Sequence, residues 1–352
     1  MLNLARGLVS RGCAVDLLVA STEGPNRDQV PSVRRLVEFG TRGVLRAVPS
    51  LAKYIRGAHP RAVISAMEHA NLAALWAAQL ARVAVPIILT VHVDLPACWA
   101  RDPLRGVSRM PPWLLRRYYP RAHAIVAVSH GAGEALNRVV AVPHGRLHVI
   151  HNPIVTPELS RQASHPVPHP WLNTSEPPVF LGVGRLVPQK DFATLIRAFA
   201  RLRRVVPAKL LILGEGPERV RLNTVIRDLH LEADVELGGF APDPYAYMRR
   251  AAGVVLSSRY EGFGNVLVEA MACGTPVVST DCPSGPSEIL EGGRYGPLAP
   301  VGDDGRLADA MLSVLRHPID SGELRARSAA FSVDLIADQY LSLIAGLQVQ
   351  VP

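Results

Sequence analysis

Two glutamates eight residues apart lie in the segment 254–280, VVLSSRYEGFGNVLVEAMACGTPVVST. Its pattern predicts a buried strand, a loop, a helix and a second buried strand, with Glu261 in the loop and Glu269 about one turn inside the helix. Paired carboxylates accept hydrogen bonds from ligands that are rich in hydroxyl groups. The pattern therefore predicts a sugar-nucleotide site, in which Glu261 meets a sugar ring and Glu269 a ribose. The alternative is an ordinary strand-to-helix turn with two solvated glutamates.

The loop between the two glutamates is expected to bind phosphate through its backbone. Gly262 and Gly264 let the chain approach a ligand closely, and Asn265 is expected to be the N-cap of the helix. The free N–H groups and the positive dipole end of that helix then face the loop and favour a diphosphate. The candidate ligand-binding residues of this segment are Gly262, Phe263, Gly264, Asn265 and Val266.

A glycine and two cations follow another predicted strand. Gly184 and Arg185 end the apolar run 179–183, and Lys190 comes just before a helix opened by Asp191. Such a pair of cations could clamp a diphosphate and neutralise the charge on a leaving group. Two surface charges without a ligand are the alternative.

Weaker signals come from three other strand ends. The turn GEGP at 214–217 and the pair Gly239 and Phe240 each follow a predicted strand, so their backbones are candidates to line a pocket, with Phe240 near a base. Most such turns bind nothing. His92 ends the run PIILTV and is the one histidine that is expected to face the site, whereas the other eleven of the twelve histidines are expected to be structural.

Composition favours a folded chain with anionic partners. The 352 residues suit two domains, and the net charge of +8 is carried almost wholly by arginine. Phosphates and acidic lipid surfaces are expected partners, whereas nucleic acid is not, because no recognition motif is present. The four cysteines form no C-x-x-C pair, which argues against a zinc site or a disulfide framework. Neither a signal peptide at the first residues nor a membrane span at 70–91 is expected, because Arg82 and Pro86 divide that stretch.

Helix and strand signals alternate along the chain. They predict an α/β protein with two Rossmann-like, doubly wound domains that face each other across a cleft. Residues 1–152 form the predicted first domain, 153–178 a proline-rich linker, 179–333 the second domain, and 334–352 a last helix that is a candidate to return to the first domain. The chain opens inside a helix, so the first domain is expected to lack its opening strand. The predicted strands are 14–20, 62–66, 86–91, 124–128, 147–151, 179–184, 209–213, 234–237, 253–257 and 276–279.

Five segments carry a resemblance to a known family: VGRLVPQKDFATLIRAF (183–199), ILGEGPE (212–218), EGFGNVLVEAMACGTPVVSTD (261–281), AVSHGAGEAL (127–136) and VIHNPI (149–154). Together they resemble the retaining glycosyltransferases of family 4, which have the GT-B fold, over nearly the whole chain. The resemblance implies that Arg185 and Lys190 hold the donor diphosphate and that Glu261 contacts the donor sugar. It also implies that His92 sits beside that sugar and that Glu269 binds the ribose hydroxyls.

The resemblance further implies transfer of a hexose or N-acetylhexosamine from a nucleoside diphosphate sugar, with retention at the anomeric carbon. The leaving phosphate would take the acceptor's proton, while Arg185, Lys190 and the helix dipole stabilise its charge. No D-x-D triplet occurs in the chain, which agrees with a metal-independent mechanism, and no cofactor is expected. The segment DCPSGPSEIL (281–290) resembles a subgroup that builds lipid-linked or surface glycans and suggests a UDP-sugar as the donor.

Arginines and aromatic residues gather between Trp99 and Arg121. This composition suits the headgroup layer of an anionic membrane, where the family's first domain often docks to reach a lipid-linked acceptor; a solvated loop is the alternative. The expected location is the cytoplasm, with a peripheral position on the inner face of the cell membrane. Two other functions stay open, a noncatalytic nucleotide-binding fragment and a GT-B sugar-nucleotide epimerase. The residues of the cluster are Arg101, Arg105, Arg109, Arg116, Arg117 and Arg121 with Trp113, Leu114, Leu115, Tyr118 and Tyr119.

Overall fold

A computed structural model describes residues 1–19, 30–41, 43–101, 110–173 and 177–347. Helices and strands alternate, in the order α1 (Leu2–Ser10), β1 (Asp16–Val19), β2 (Arg35–Glu38), α2 (Val48–Ala58), β3 (Val63–Ala66), α3 (Glu68–Ala81), β4 (Ile87–Val91), α4 (Leu95–Arg101), α5 (Pro112–Tyr118), β5 (Ala124–Ala127), α6 (His130–Val139), β6 (Leu147–Val149), α7 (Pro157–Gln162), β7 (Val179–Val183), α8 (Phe192–Arg203), β8 (Lys209–Leu213), α9 (Arg219–Asp228), β9 (Val235–Gly239), α10 (Tyr245–Arg250), β10 (Gly253–Leu256), α11 (Asn265–Cys273), β11 (Val277–Thr280), α12 (Pro286–Ile289), β12 (Leu298–Ala299), α13 (Asp304–Arg316), α14 (Ser321–Ser328) and α15 (Val333–Gly346).

The chain divides into two compact units. The first comprises the residues up to Pro153 together with α15, and the second runs from Ile154 to Ser332. Each unit is built on parallel strands with helices between them. The predicted α/β class with two Rossmann-like domains is therefore confirmed.

The first unit holds a four-stranded parallel sheet in the order β3-β4-β5-β6 and a separate parallel pair, β1 and β2. The strands β4 (IILTV) and β5 (AIVA) are buried along their whole length, as expected for apolar runs in a sheet covered on both faces. All five strands predicted in this half are present, although Ala20 lies outside the described residues. β2 is not predicted, because its short sequence RLVE is mostly exposed and carries no apolar run.

The last helix packs in the first unit. Apolar side chains of α1, β4, β5 and α15 form one cluster, which includes Leu4, Ile88, Val126 and Ile336. Gly7 lies at the contact of α1 with α15, where a Cβ atom would come 2.7 Å from Cγ1 of Val333 and 2.8 Å from the Cβ of Ala337. The absence of a side chain at this position is what lets the two helices approach so closely.

The second unit holds one six-stranded parallel sheet in the order β12-β11-β10-β7-β8-β9. Its helices α8, α9 and α13 cover one face and bury Phe199, Leu222 and Met311 with the apolar side chains of β7 and β8. The strand order reverses between β7 and β10, since β7 is followed in the chain by β8 on one side and paired with β10 on the other. This reversal is the feature of the fold that positions the site.

The proline-rich segment interpreted as a linker carries regular structure and belongs to the second unit from Ile154 onward. It contains α7 and a short 3₁₀ turn, Pro170–Leu172. The ring of His165 lies 2.8 Å from the Asp243 carboxylate, and the ammonium of Lys209 lies over the ring of Trp171 at 5.2 Å. The proline content of the segment indicates a linker, but composition alone does not predict these polar and aromatic contacts.

Gly7→Ala should lower the free energy of unfolding by about 1–3 kcal/mol, because the new methyl group overlaps Val333 and Ala337. Gly57→Ala is the matched control, since Gly57 lies in α2 with open space around it and a helical Gly→Ala change there should stabilise by about 0.5–1 kcal/mol. Urea unfolding followed by circular dichroism measures both. Equal stability of the two variants would show that α1 and α15 do not pack as described.

Candidate functional site

The carboxyl ends of β7 and β10 lie side by side where the strand order of the second unit reverses. In doubly wound sheets, the connections leaving two such strands go to opposite faces and leave a crevice at the carboxyl edge. The loop 184–191 leaves β7 and the loop 257–264 leaves β10 at this edge. The two loops are therefore neighbours, although about 70 residues separate them in the chain.

Lys190 and Glu261 meet at this edge. The Nζ atom of Lys190 lies 2.6 Å from Oε1 of Glu261, and the side chains are only 19% and 10% exposed. The hydroxyl of Ser258 donates a second hydrogen bond of 2.6 Å to the same oxygen. In the described part of the chain Oε2 of Glu261 has no hydrogen-bond partner, so it is the oxygen left to a ligand.

Backbone hydrogen bonds hold the two loops together independently of the charged pair. The Ser257 hydroxyl donates to the carbonyl of Lys190 at 2.8 Å, and the N–H of Arg259 donates to the carbonyl of Gln189 at 2.8 Å. The side-chain amide of Gln189 donates in return to the carbonyl of Tyr260 at 2.9 Å. The position of Lys190 is thus set by the loop that carries Glu261.

Asp191 fixes the start of α8, as predicted from the sequence. Its carboxylate is buried and accepts hydrogen bonds from the hydroxyl of Thr194 at 2.9 Å and from Nε of Arg259 at 3.0 Å. The pair of Asp191 and Arg259 is a second ionic link between the same two loops. It lies one residue along the chain from Lys190, so both links act on the same turn.

Two glycines let neighbouring backbone pack against these loops. A side chain at Gly214 would overlap the carbonyl oxygen of Gly184, and one at Gly285 would overlap the carbonyl oxygen of Phe263. Gly285 also has φ of 103°, which glycine adopts without strain. The sequence indicates the turn at Gly214 but does not indicate the parts played by Gly285 and Ser258. A glycine flanked by prolines and serines predicts only a turn, and a serine in a loop carries no signal of its own.

The helix α11 begins at the loop but is capped differently from the prediction. Asn265 is its first helical residue and Gly264, with φ of 105°, is the N-cap. The prediction that Asn265 caps the helix is therefore wrong, because the chain enters α11 through a left-handed backbone that suits glycine. The first turn contains no acidic residue. Its positive dipole end is thus not neutralised from within the helix.

Glu269 projects from α11 about one turn beyond its start and is partly exposed. Burial raises the pKa of its carboxyl to about 7, and the positive charge of Lys190 acts in the opposite direction. Lys190 therefore interacts with both glutamates. Of the four charged residues predicted for the second domain, the structure brings Lys190 and Glu261 into contact, and the charge of Lys190 acts on Glu269.

The remaining predicted residues of the second unit differ in exposure. Arg185 is exposed, and its side chain makes no hydrogen bond or ion pair with the residues that the structure describes. Phe263 is buried against the ring of Phe331, with ring centroids 5.5 Å apart, so its side chain serves packing. Phe240 is 71% exposed and follows β9, two strands away from β7. The aliphatic part of the Lys190 side chain lies over Gly184. The two loops and the start of α11 contain the other predicted residues, Gly262, Gly264 and Val266.

His92 lies in the first unit, one residue beyond β4. Its Nε2 is 2.9 Å from the hydroxyl oxygen of Thr90, and burial lowers the pKa of the imidazole to about 4. The ring is therefore uncharged at neutral pH. All the other predicted site residues lie in the second unit.

A cavity of about 140 Å³ lies beside the loop that carries Lys190. It is smaller than the roughly 300–1,000 Å³ of most ligand pockets, and it includes none of the predicted site residues. Its lining residues are Val187, Pro188, Asp191, Phe192, Ala193, Glu218, Arg221, Leu222 and Arg259. Within the described ranges, no group of three histidine, cysteine or acidic side chains could share a metal ion, and no helix there is long and apolar enough to cross a membrane.

Glu269 should make stability fall as pH rises. Its carboxyl has a pKa of about 7 in the folded state and 4.5 in the unfolded chain, so between these values the folded state keeps a proton that the unfolded state has lost. The free energy of unfolding then decreases as pH increases from about 4.5 to 7. Glu269→Gln should remove this loss, which amounts to about 2 kcal/mol for a partly exposed group.

Urea unfolding at pH 5 and pH 7.5 measures the difference between the Glu269→Gln variant and the unsubstituted protein. Glu232→Gln is the control, because Glu232 is exposed and should leave the pH dependence unchanged. A difference between Glu269→Gln and the unsubstituted protein that is the same at both pH values would contradict the raised pKa.

Two family models match the chain. The model described as Glycosyltransferase Family 4 matches residues 1–157, and the model described as Glycosyl transferases group 1 matches residues 168–330. Together they cover most of both units but not α15. The boundary between the two matched ranges falls close to Ile154, where the second unit begins.

Two curated relatives are similar to parts of the chain. The N-acetylgalactosamine-N,N'-diacetylbacillosaminyl-diphospho-undecaprenol 4-alpha-N-acetylgalactosaminyltransferase of Campylobacter jejuni is 31% identical over 243 residues, which are 68% of this chain and 64% of the relative. The lipopolysaccharide core biosynthesis glycosyltransferase LpsE of Rhizobium meliloti is 34% identical over 180 residues, which are 49% of this chain and 51% of the relative. The chain thus spans less than two thirds of the length of each of these relatives.

Two solved structures share the fold. A glycosyltransferase from Rickettsia africae superimposes with a TM-score of 0.77 at 17% identity, over 99% of this chain and 94% of that chain. HepE of Anabaena in complex with UDP and glucose superimposes with a TM-score of 0.76 at 22% identity, over 98% of this chain and 94% of that chain. The resemblance in the sequence is confirmed, and the chain belongs to the family 4 glycosyltransferases of the GT-B fold.

Proposed function

We propose that the chain is a retaining, metal-independent glycosyltransferase that moves a hexose or N-acetylhexosamine from a UDP-sugar to a glycan or lipid-linked acceptor. The observation that carries the proposal is the contact between Lys190 and Glu261 at the carboxyl edge of the second sheet, beside the start of α11. Lys190 supplies a cation suited to a diphosphate, and Glu261 supplies a carboxylate suited to a sugar hydroxyl. The two groups are close enough for one nucleotide-sugar to contact both.

Arg185 and Lys190 are the proposed diphosphate ligands, and they contribute differently. Arg185 is exposed and unpaired in the described part of the chain, so a diphosphate gains charged hydrogen bonds without breaking one. Lys190 already holds Glu261 and would be shared between that carboxylate and a phosphate. The amides of residues 262–266 and the uncompensated dipole of α11 supply further attraction for the phosphates.

The two carboxylates divide the remaining parts of the donor. Oε2 of Glu261 accepts a hydrogen bond from the sugar, because Oε1 is taken by Lys190 and Ser258. Glu269 accepts from the ribose hydroxyls, and Phe240 lies beside the base. Support for uridine as the base comes from HepE, whose solved structures contain UDP with glucose and UDP-glucose.

The proposed reaction needs no protein nucleophile. The bond between the anomeric carbon and the diphosphate oxygen breaks, and its electron pair leaves with the diphosphate. The acceptor oxygen bonds to the anomeric carbon on the same face, and its proton passes to the leaving phosphate. Arg185, Lys190 and the start of α11 stabilise the charge that develops on that phosphate. His92 is the residue of the first unit that we propose for the reaction.

A lipid-linked or surface glycan is the proposed acceptor, and the inner face of the cell membrane the proposed location. The Campylobacter relative is named for an undecaprenol-linked substrate and the Rhizobium relative for lipopolysaccharide core biosynthesis. α5 offers a surface for anionic lipid. Trp113 on it is 62% exposed, and Arg116 and Arg117 are exposed beside it.

α5 is held firmly enough to present these side chains. Leu115 is buried, and the ring of Tyr118 packs edge-on against Trp76 with centroids 5.4 Å apart. The guanidinium of Arg121 lies over the ring of Tyr118 at 5.1 Å. The arginines at 105 and 109, which belong to the predicted cluster, lie outside the described residues.

Arg185→Ala should weaken UDP binding by about 10- to 100-fold, because it removes charged hydrogen bonds worth about 1.5–3 kcal/mol. Lys190→Ala should weaken it at least as much, since it also leaves the Glu261 carboxylate uncompensated beside the phosphates. The double variant Lys190→Ala with Glu261→Gln should recover part of that loss. Calorimetric titration with UDP, GDP and ADP measures the affinities.

The matched control is Arg201→Ala, which removes an exposed arginine of α8 paired with Asp304 and should not change UDP affinity.

Glu261→Ala should abolish transfer from a labelled UDP-sugar to a membrane extract while UDP still binds. Consumption of the donor without an acceptor would favour the epimerase. Intact transfer in Glu261→Ala, or unchanged UDP affinity in Arg185→Ala, would overturn the assigned roles.

Trp113→Ala combined with Arg117→Gln should lower binding to phosphatidylglycerol vesicles about tenfold, since each arginine near an anionic surface contributes about 1 kcal/mol and the indole adds interfacial contact. Vesicle sedimentation measures the bound fraction, with phosphatidylcholine vesicles as the neutral comparison. Arg227→Gln, an exposed change on α9, is the control. Equal binding of the unsubstituted protein, the double variant and the Arg227→Gln control to phosphatidylglycerol vesicles would reject α5 as the docking surface.

A further inference from the structure

A set of buried hydrogen bonds lies under the carboxyl edge of the first unit's sheet. The Ser65 hydroxyl donates to Oδ1 of Asn71 at 2.7 Å. The amide of Asn71 donates to the carbonyl of Thr90 at 3.0 Å and to the hydroxyl of Tyr119 at 3.1 Å. The side chains of Ser65, Asn71, Thr90 and Tyr119 are all buried. Buried polar groups that are fully paired hold their members in one arrangement.

The hydroxyl of Thr90 determines how His92 is protonated. Thr90 Oγ1 lies 2.8 Å from the carbonyl oxygen of Ser65, which can only accept, so the single hydroxyl hydrogen is used there. Nε2 of His92 lies 2.9 Å from the same Oγ1. Because Thr90 has no second hydrogen to give, His92 must donate, and its Nε2 must carry a hydrogen.

The other ring nitrogen is then an acceptor. Burial lowers the pKa of His92 to about 4, so the ring has only one N–H at neutral pH, and that hydrogen is on Nε2. His92 also forms a hydrogen bond with the side chain of Asn152. This bond favours the charged imidazole and so acts against burial, whose effect on the pKa is larger.

We propose that Thr90 is a positioning residue that holds His92 as the neutral Nε2–H tautomer, with Nδ1 as an acceptor only. Nδ1 can then accept a hydrogen bond from a hydroxyl group but cannot bond a carboxylate, which has no hydrogen to give. The relevance of this tautomer to sugar transfer rests on the proposed function.

Nitrogen NMR of the full chain with ¹⁵N-labelled histidine tests the tautomer directly at pH 7. His92→Gln identifies the His92 signals among those of the twelve histidines. The expected spectrum has a protonated Nε2 and an unprotonated Nδ1. Thr90→Val, which has nearly the same shape without the hydroxyl, should lose this pattern, and Thr90→Ser should restore it.

Two results would overturn the proposal: a protonated Nδ1 in the unsubstituted protein, or a Thr90→Val spectrum identical to it. The spectrum of the unsubstituted protein decides the tautomer even if Thr90→Val does not fold. Neither readout depends on transfer activity.

Calorimetric titration with UDP separates the tautomer from the proposed function. Absence of any binding by UDP would reject the proposed function and leave the tautomer assignment standing on its NMR spectrum.

Discussion

The contact between Lys190 and Glu261 is the interaction on which the candidate site of the second unit depends. Both side chains are largely withdrawn from water, where an isolated charge is costly and a well-paired one is tolerated. The Ser258 hydroxyl and the backbone bonds between the two loops fix the geometry of the pair. A carboxylate is thereby held in one position before any ligand arrives, so that binding requires little further ordering of these groups.

The contact between Lys190 and Glu261 also reduces the negative charge of the candidate site. Two glutamates close to a diphosphate would repel it unless their charge were reduced. Lys190 compensates Glu261, and burial raises the pKa of Glu269 to about 7, so that its carboxyl is partly protonated at neutral pH. The exposed guanidinium of Arg185 and the start of α11 then set the sign of the potential at the crevice. The arrangement retains carboxylate oxygens for hydroxyl groups without making the crevice strongly negative.

Much of this could be predicted from the sequence, because the central strands of the two larger parallel sheets are apolar runs that end at glycines or polar residues. β4, β5, β7 and β10 are such runs, and Glu261 and Lys190 each follow one of them. Their contact could not be predicted from spacing, because it depends on β7 pairing with β10. Periodicity identifies strands but not their order in a sheet.

The failures have local causes. β2 has an exposed sequence of mixed character, so no strand is predicted there. The predicted start of α11 is one residue too late, because Gly264, with a left-handed backbone, caps the helix in place of Asn265. The ordered segment from Ile154 to Leu172 depends on contacts with residues far along the chain, such as that between His165 and Asp243. Sequence composition carries no information about partners at that distance.

The two units solve the problem of buried polar groups in different ways. The second pairs opposite charges and fixes them through loop backbone, whereas the first pairs neutral groups, with every hydrogen of Ser65, Thr90 and the Asn71 amide assigned to a partner. An ion pair can exchange one partner for a phosphate at modest cost, because the phosphate supplies the same charge. A network of neutral hydrogen-bonding groups cannot exchange a partner in this way, because moving one hydrogen changes which groups donate and which accept throughout the network. The charged site is therefore suited to taking up and releasing a diphosphate, and the neutral network to holding a single imidazole in one protonation state.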